Sequence, residues 1–145
     1  MRRQEMDQLI EEHLAAEKAG DPKGCVAAYT ADVVHDVVGM PNAVIRGPQA
    51  AMERYAWLTE NMHIEHMDVN HQWYGEDFCV IEHQCRATVS GELMGIPGNN
   101  RRISFRILHV WEFKDGAMSR ENVWLDSGAI IEQLTARELA ATATA

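Results

Sequence analysis

The chain has 145 residues, 46% hydrophobic and 24% charged, enough for one substantial core and too few for a second domain. Its 22 acidic against 13 basic residues give a formal charge of -9, so phosphate-bearing surfaces are repelled. Nucleic acid and membrane are therefore not expected partners, whereas a small apolar molecule, uncharged or cationic, remains compatible.

Met6, Leu9, Ile10, His13 and Leu14 recur at helical spacing, which predicts an amphipathic helix over 3–19 that stops at Gly20. The two arginines near the start precede no uninterrupted apolar run, and no other segment is long enough to cross a bilayer, so a soluble, cytoplasmic protein is expected. A second helix should follow at once. Asp21 suits its N-cap and Pro22 its first turn, with Val26 and Tyr29 on its apolar side. The β-branched "ADVVHDVVGMP" reads as a strand, and helical character resumes after Pro48, with Met52, Tyr55, Ala56 and Leu58 near one side.

Residues 62–73, 78–90, 101–113 and 117–126 then read as strands, separated by "YGED", "GELMGIPGNN" and "KDG". Short connections between consecutive strands imply an antiparallel meander. A last helix is expected over about 128–139, and the tail from about 140 to 145, which ends in "ATATA", reads as disordered. This order predicts an α+β domain over 1–145: a curved, mostly antiparallel sheet packed against the N-terminal and third helices, with a C-terminal helix. The middle connection is long for a hairpin and carries Leu93, Met94 and Ile96, which suits a lid over an apolar ligand. Cys25, Cys79 and Cys85 cannot all pair within one chain and form no C-x-x-C motif, so free thiols in a reducing compartment are expected.

Strand faces locate the candidate site. In 78–90 the apolar face carries Cys79, Ile81, His83, Cys85, Ala87 and Val89, and in 101–113 it carries Ile103, Phe105, Ile107, His109, Trp111 and Phe113. One histidine on an apolar face is ordinarily a hydrogen-bonded core residue. Two on neighbouring strands point instead to a shared cavity, where desolvation lowers their pKa values and favours neutral, base-competent rings. His35 alternates with Val33 and Val37 and adds a third, while His63, His66 and His71 fall on both faces of a polar strand and belong on the surface. Strand 117–126 is ambiguous, since hydrophobicity alone does not decide whether Glu121 or Asp126 faces inward.

The chain resembles the SnoaL-like polyketide cyclase group of the nuclear transport factor 2-like superfamily, which includes ketosteroid isomerases and limonene epoxide hydrolases. The resemblance is carried by "YTADVVHDVVG", "IRGPQAAMERY" and above all "RRISFRILHVWEFKDGAMSRENVWLDSGAIIEQL". It implies a cone-shaped half-barrel and a homodimer, here through an outer sheet face bearing Trp124 and Met118. It also puts His109 where SnoaL-type cyclases look to have a pocket histidine, and Val123 where their acid-base aspartate would stand. The hydrolases' arginine and aspartate positions look like His83 and Cys85. If Val123 faces the pocket, so does Glu121, two residues earlier, and Asp126 becomes a helix cap.

The expected function is a small, cofactor-independent enzyme acting by proton transfer on an apolar cyclic or carbonyl-containing metabolite, of cyclase, isomerase or dehydratase (lyase) type. Glu121, His109 and His83 are the expected catalytic groups, with burial raising the Glu121 pKa toward that of a general base. His35, Tyr29, Tyr55, Cys85, Met94, Phe105, Ile107 and Val123 are the expected substrate contacts. The alternatives are a non-catalytic small-molecule binder and, third, an epoxide hydrolase. No metal is expected, because no short H-x-x-x-H or H-x-H spacing joins the candidate ligands.

Overall fold

A computed structural model describes residues 1–137. Helix α1 (Arg3–Ala19) buries Met6, Ile10 and His13 and ends where Gly20 adopts a left-handed φ of 66°. Asp21 caps α2 (Pro22–Cys25), its side chain accepting the Gly24 N–H at 3.0 Å. That helix is a single turn, shorter than expected. Tyr29 is not on its face but opens strand β1 (Tyr29–Val38). A strand of 3 residues, β2 (Val44–Arg46), pairs with β1; it is too short to show a periodicity in the sequence. Helix α3 (Pro48–Asn61) follows, and then β3 (Met62–Tyr74) and β4 (Phe78–Val89).

The expected lid segment contains a small hairpin of β5 (Glu92–Leu93) and β6 (Ile96–Pro97). It is anchored by Leu93, only 2% exposed, while Met94 and Ile96 pack against the same core. Strands β7 (Arg101–Lys114) and β8 (Ala117–Leu125) complete the β structure of the described residues, and α4 (Ser127–Thr135) follows. This helix ends before the expected 139, because Ala136 turns to an extended ψ of 129°. The tail at 140–145 lies outside the described residues.

The main sheet is curved, open and mostly antiparallel, in the order β2-β1-β8-β7-β4-β3. Strands β3, β4, β7 and β8 form the expected meander. The exception is the parallel pairing of β1 with β8, which sets His35 beside Glu121 and Val37 beside Val123. On the concave side one end of the core gathers Ile64, Val89, Phe105 and Ile130, and the other gathers Met6, Ile10, Trp111 and Met118.

Met118 corrects the expected outer face. Phe113 pairs with Met118 but Glu112 with Arg120, so a bulge at Ser119 breaks the two-residue alternation. Met118 therefore turns inward and is fully buried, while Trp124 stays outside at 40% exposure.

Gly98 sits where the lid segment crosses the end of β4. A Cβ there would meet the Val89 carbonyl oxygen at 2.1 Å, a backbone clash that no side-chain rotation relieves. Gly98→Ala should cost about 2 kcal/mol, seen as a fall of roughly 5–10 °C in melting temperature by calorimetry. An unchanged melting temperature would show that this crossing is not close-packed.

Candidate active site

The curvature of β8 directs Glu121 and Val123 to the concave side, and Asp126 caps α4 by accepting the Ala129 N–H at 3.2 Å. Glu121 is 1% exposed and is surrounded by groups from other elements. Its Oε2 accepts hydrogen bonds from the Tyr29 hydroxyl and from the Tyr55 hydroxyl, the latter at 3.1 Å. His13 Nε2 lies 3.5 Å and His109 Nε2 3.8 Å from Oε1, while His35 Nε2 lies 3.9 Å from Oε2.

The partners on the far side of each ring settle two protonation patterns. His13 Nδ1 is 2.8 Å from the Cys25 carbonyl oxygen, which only accepts, so Nδ1 carries a proton. His35 Nδ1 is 3.2 Å from Arg54 Nη1, and a guanidinium only donates, so this nitrogen is bare and Nε2–H points toward Tyr55 and Glu121. Arg54 also donates to the Ala43 carbonyl at 2.8 Å and so ties the β1–β2 turn to α3.

Charge in the cluster follows from these contacts. Burial alone would lower the His13 pKa, but Glu121 through its charge and hydrogen bond, with Glu17 and the Cys25 carbonyl, raises it to about 9. Burial alone would likewise raise that of Glu121; His13, through its charge and hydrogen bond, with lesser help from His35 and His109, outweighs it and holds the carboxyl below its ordinary range. Glu121 and His13 thus form a buried ion pair. This reverses the expectation that burial lifts Glu121 into the range of a general base.

His109 behaves as expected. Burial, only partly opposed by Glu121, lowers its pKa to about 3, and burial alone lowers that of His83 to about 4, so both rings are neutral. Their centroids lie 5.4 Å apart, and His109 stacks on Trp111 at 4.6 Å. The Nδ1 atoms of both histidines are buried with no hydrogen-bond partner.

A cavity of about 730 Å³ opens on this cluster. Of the expected catalytic groups, Glu121 and His109 line it. So do the expected contacts His35, Tyr55, Cys85, Met94, Phe105, Ile107 and Val123. His83 and Tyr29 do not: His83 stands behind the His109 ring, and Tyr29 is spent on Glu121 from behind. Cys85 is an inert wall residue, its thiol pushed up to about 12 first by burial and then by Glu17.

Three residues of the site escaped the sequence pattern. His13 was one member of a helical stripe and Glu17 lies four residues on, so an ionisable pair at i,i+4 on an apolar helix face was the available signal. Arg54 left none beyond its adjacency to Tyr55.

The SnoaL-like polyketide cyclase profile matches residues 5–134, and the chain belongs to that family. None of the curated proteins matches it. Among solved structures, TsrD from Streptomyces laurentii is similar at 21% identity and a TM-score of 0.80, over 94% of this chain and 99% of that one. A protein from Xanthomonas campestris pv. campestris, proposed to be a polyketide cyclase, is similar at 17% identity and a TM-score of 0.78, over 92% and 98%. An LEH-like epoxide hydrolase from M. tuberculosis is similar at 18% identity and a TM-score of 0.70, over 90% of each chain. These likenesses establish the fold. Among the described residues no helix is long and apolar enough to cross a membrane.

The ion pair makes stability depend on pH with a definite sign. A histidine whose pKa is raised to about 9 on folding contributes fully below its unfolded value of about 6.5 and loses that contribution as pH rises through about 9. Wild type should therefore lose on the order of 3 kcal/mol between those limits from this group. His13→Gln should flatten that loss in urea titrations, and an equal slope in both proteins would mean His13 is neutral.

Proposed function

We propose that this member of the SnoaL-like polyketide cyclase family is a cofactor-independent enzyme that moves protons on an apolar cyclic or carbonyl-containing metabolite, as a cyclase, isomerase or dehydratase does. One observation carries the reading: a large apolar cavity is lined by a neutral imidazole, His109, whose Nε2 lies 3.8 Å from the Glu121 carboxylate, beyond hydrogen-bond reach. A ring kept neutral by burial is free to accept a proton, and the fixed anion behind it favours that proton's arrival. His109 is then the base and Glu121 the counter-charge. Tyr55 and His35 form part of the cavity wall from α3 and β1 and fix the Glu121 charge behind it, and Met94 covers the ligand from the lid segment.

A non-catalytic binder is the second reading, favoured by the saturation of Glu121 and by Val123 at the cyclases' aspartate position. An epoxide hydrolase is less well supported, since Val123 and Cys85 leave no pair of carboxylates to activate water.

The outer sheet face supports a homodimer as a further part of the proposal. Val38, Trp124 and Leu108 are register neighbours across β1, β8 and β7, and Val38 and Trp124 are exposed. A second copy of the chain is the proposed cover. Three buried free thiols suit a reducing compartment such as the cytoplasm.

The two roles separate experimentally, on a substrate found by screening apolar ketones, lactones and epoxides. His109→Gln should lower turnover by roughly 10²–10⁴-fold with little change in melting temperature. Glu121→Gln should also destabilise the fold by about 3–5 kcal/mol, because it strands the His13 cation. Full turnover in His109→Gln would leave the binder reading. Trp124→Glu should shift the protein to monomer in sedimentation velocity, and a wild-type monomer at micromolar concentration would end the dimer proposal.

A further inference from the structure

Glu17 leaves α1 one turn beyond His13, so both side chains point from the helix toward the sheet. It forms part of the cavity wall. The side chain is half-buried; Oε1 is the oxygen left to face the cavity, while Oε2 is closed off from solvent without a hydrogen-bond partner. A carboxylate oxygen left so is costly, and protonation removes the charge.

Burial favours that outcome, against the net pull of the nearby charges. On α1 the His13 cation attracts Glu17, and on β8 the Glu121 anion repels it; burial is the largest influence, and the balance raises the Glu17 pKa to about 7. The other titratable or charged groups near the cavity are Arg54 and Tyr55 on α3, His35 on β1, His109 on β7, Cys85 on β4, Glu92 on β5 and Cys25 on α2. None of those whose pKa the cavity shifts titrates between pH 6.5 and 8. His35, His109 and Glu121 lie lower, His13 stands at about 9, Cys85 at about 12, burial holds Tyr55 and Cys25 well above their ordinary values, and Arg54, though lowered by burial, stays a guanidinium cation.

We propose that Glu17 is the hydrogen-bond donor of the cavity, a neutral carboxyl that binds the carbonyl oxygen of the ligand. The inference rests on the acid-base reading of the same cavity and narrows its substrate class to uncharged ketones and related carbonyl compounds. With such a ligand His109 takes a proton from the carbon beside the carbonyl, and the C–H electron pair becomes the new C=C bond. The carbonyl π pair moves to oxygen, which takes the Glu17 proton. The products are an enol, an imidazolium at His109 and a carboxylate at Glu17.

Two measurements test this without a known substrate. Infrared difference spectra of wild type against Glu17→Gln should show a protonated-carboxyl C=O band that disappears as pH rises through about 7. Its absence at about pH 5.5 would mean Glu17 is ionised throughout and would overturn the proposal. Calorimetric binding of 1-tetralone and of its hydrocarbon counterpart tetralin supplies the second. Wild type should prefer the ketone by about tenfold at about pH 5.5, and the preference should shrink at about pH 8.5. Glu17→Gln keeps a donor and should retain the preference without its pH dependence, whereas Glu17→Ala should lose it. Equal preference in wild type and Glu17→Ala overturns the donor role alone. If neither compound binds wild type, the apolar-carbonyl reading of the cavity falls as well.

Discussion

A single buried carboxylate constrains most of this structure. Glu121 is fully desolvated, and an ionised group so placed is tolerated only if several donors converge on it. Tyr29 from β1 and Tyr55 from α3 donate to it, His13 from α1 pairs with it, and His35 from β1 and His109 from β7 stand just beyond hydrogen-bond reach. The parallel pairing of β1 with β8 brings two of them to Glu121, and the seating of α1 and α3 on the sheet brings two more. Such a cluster is weak evidence for net stability, because a well-packed apolar centre of the same volume can be as stable. Its effect is selective. Any arrangement that moves a helix or slips a strand leaves the anion unpaired.

The parts of the fold legible in the sequence are those where local alternation is unbroken. Strands β4 and β7 pair from Phe78–Glu112 to Val89–Arg101 with no register shift, so the inward faces bearing His83 and His109 were visible at once. Strand β8 failed at one point. A bulge at Ser119 reverses the face of Met118 and leaves Glu121, Val123 and Trp124 as expected, because the alternation resumes after it. The β1–β8 pairing joins the two ends of the chain and has no local signature; only the family resemblance implied it, by implying the fold.

The sign of the Glu121 shift was illegible for a related reason. A strand pattern predicts burial, and burial by itself raises a carboxyl pKa. The outcome depends on the partners, and the decisive one, His13, belongs to a helix more than a hundred residues away in sequence. The same holds for His109 against His83. Both faces matched the pattern, yet only the three-dimensional path of the cavity shows that one ring meets it and the other backs that ring.

The polar groups of the site divide by whether their hydrogen bonds are already made. Tyr29, Tyr55, His13 and His35 are engaged with Glu121 or with each other, so they define its charge and geometry. His109 and Glu17 line the cavity and make none of these bonds; Nδ1 of the one and Oε2 of the other are buried without a partner, which leaves Nε2 and Oε1 toward the cavity. Val123 bears on this division, since it is the direct cross-strand partner of His109. A carboxylate at that position would add a second anion beside the ring and favour its imidazolium form, making it an acid. An isopropyl group adds desolvation instead and leaves the ring neutral. The departure at Val123 from the cyclases' aspartate therefore does not simply delete a proton-transfer group: it shifts the basic role to His109, and the acidic role then needs a neutral carboxyl elsewhere on the wall.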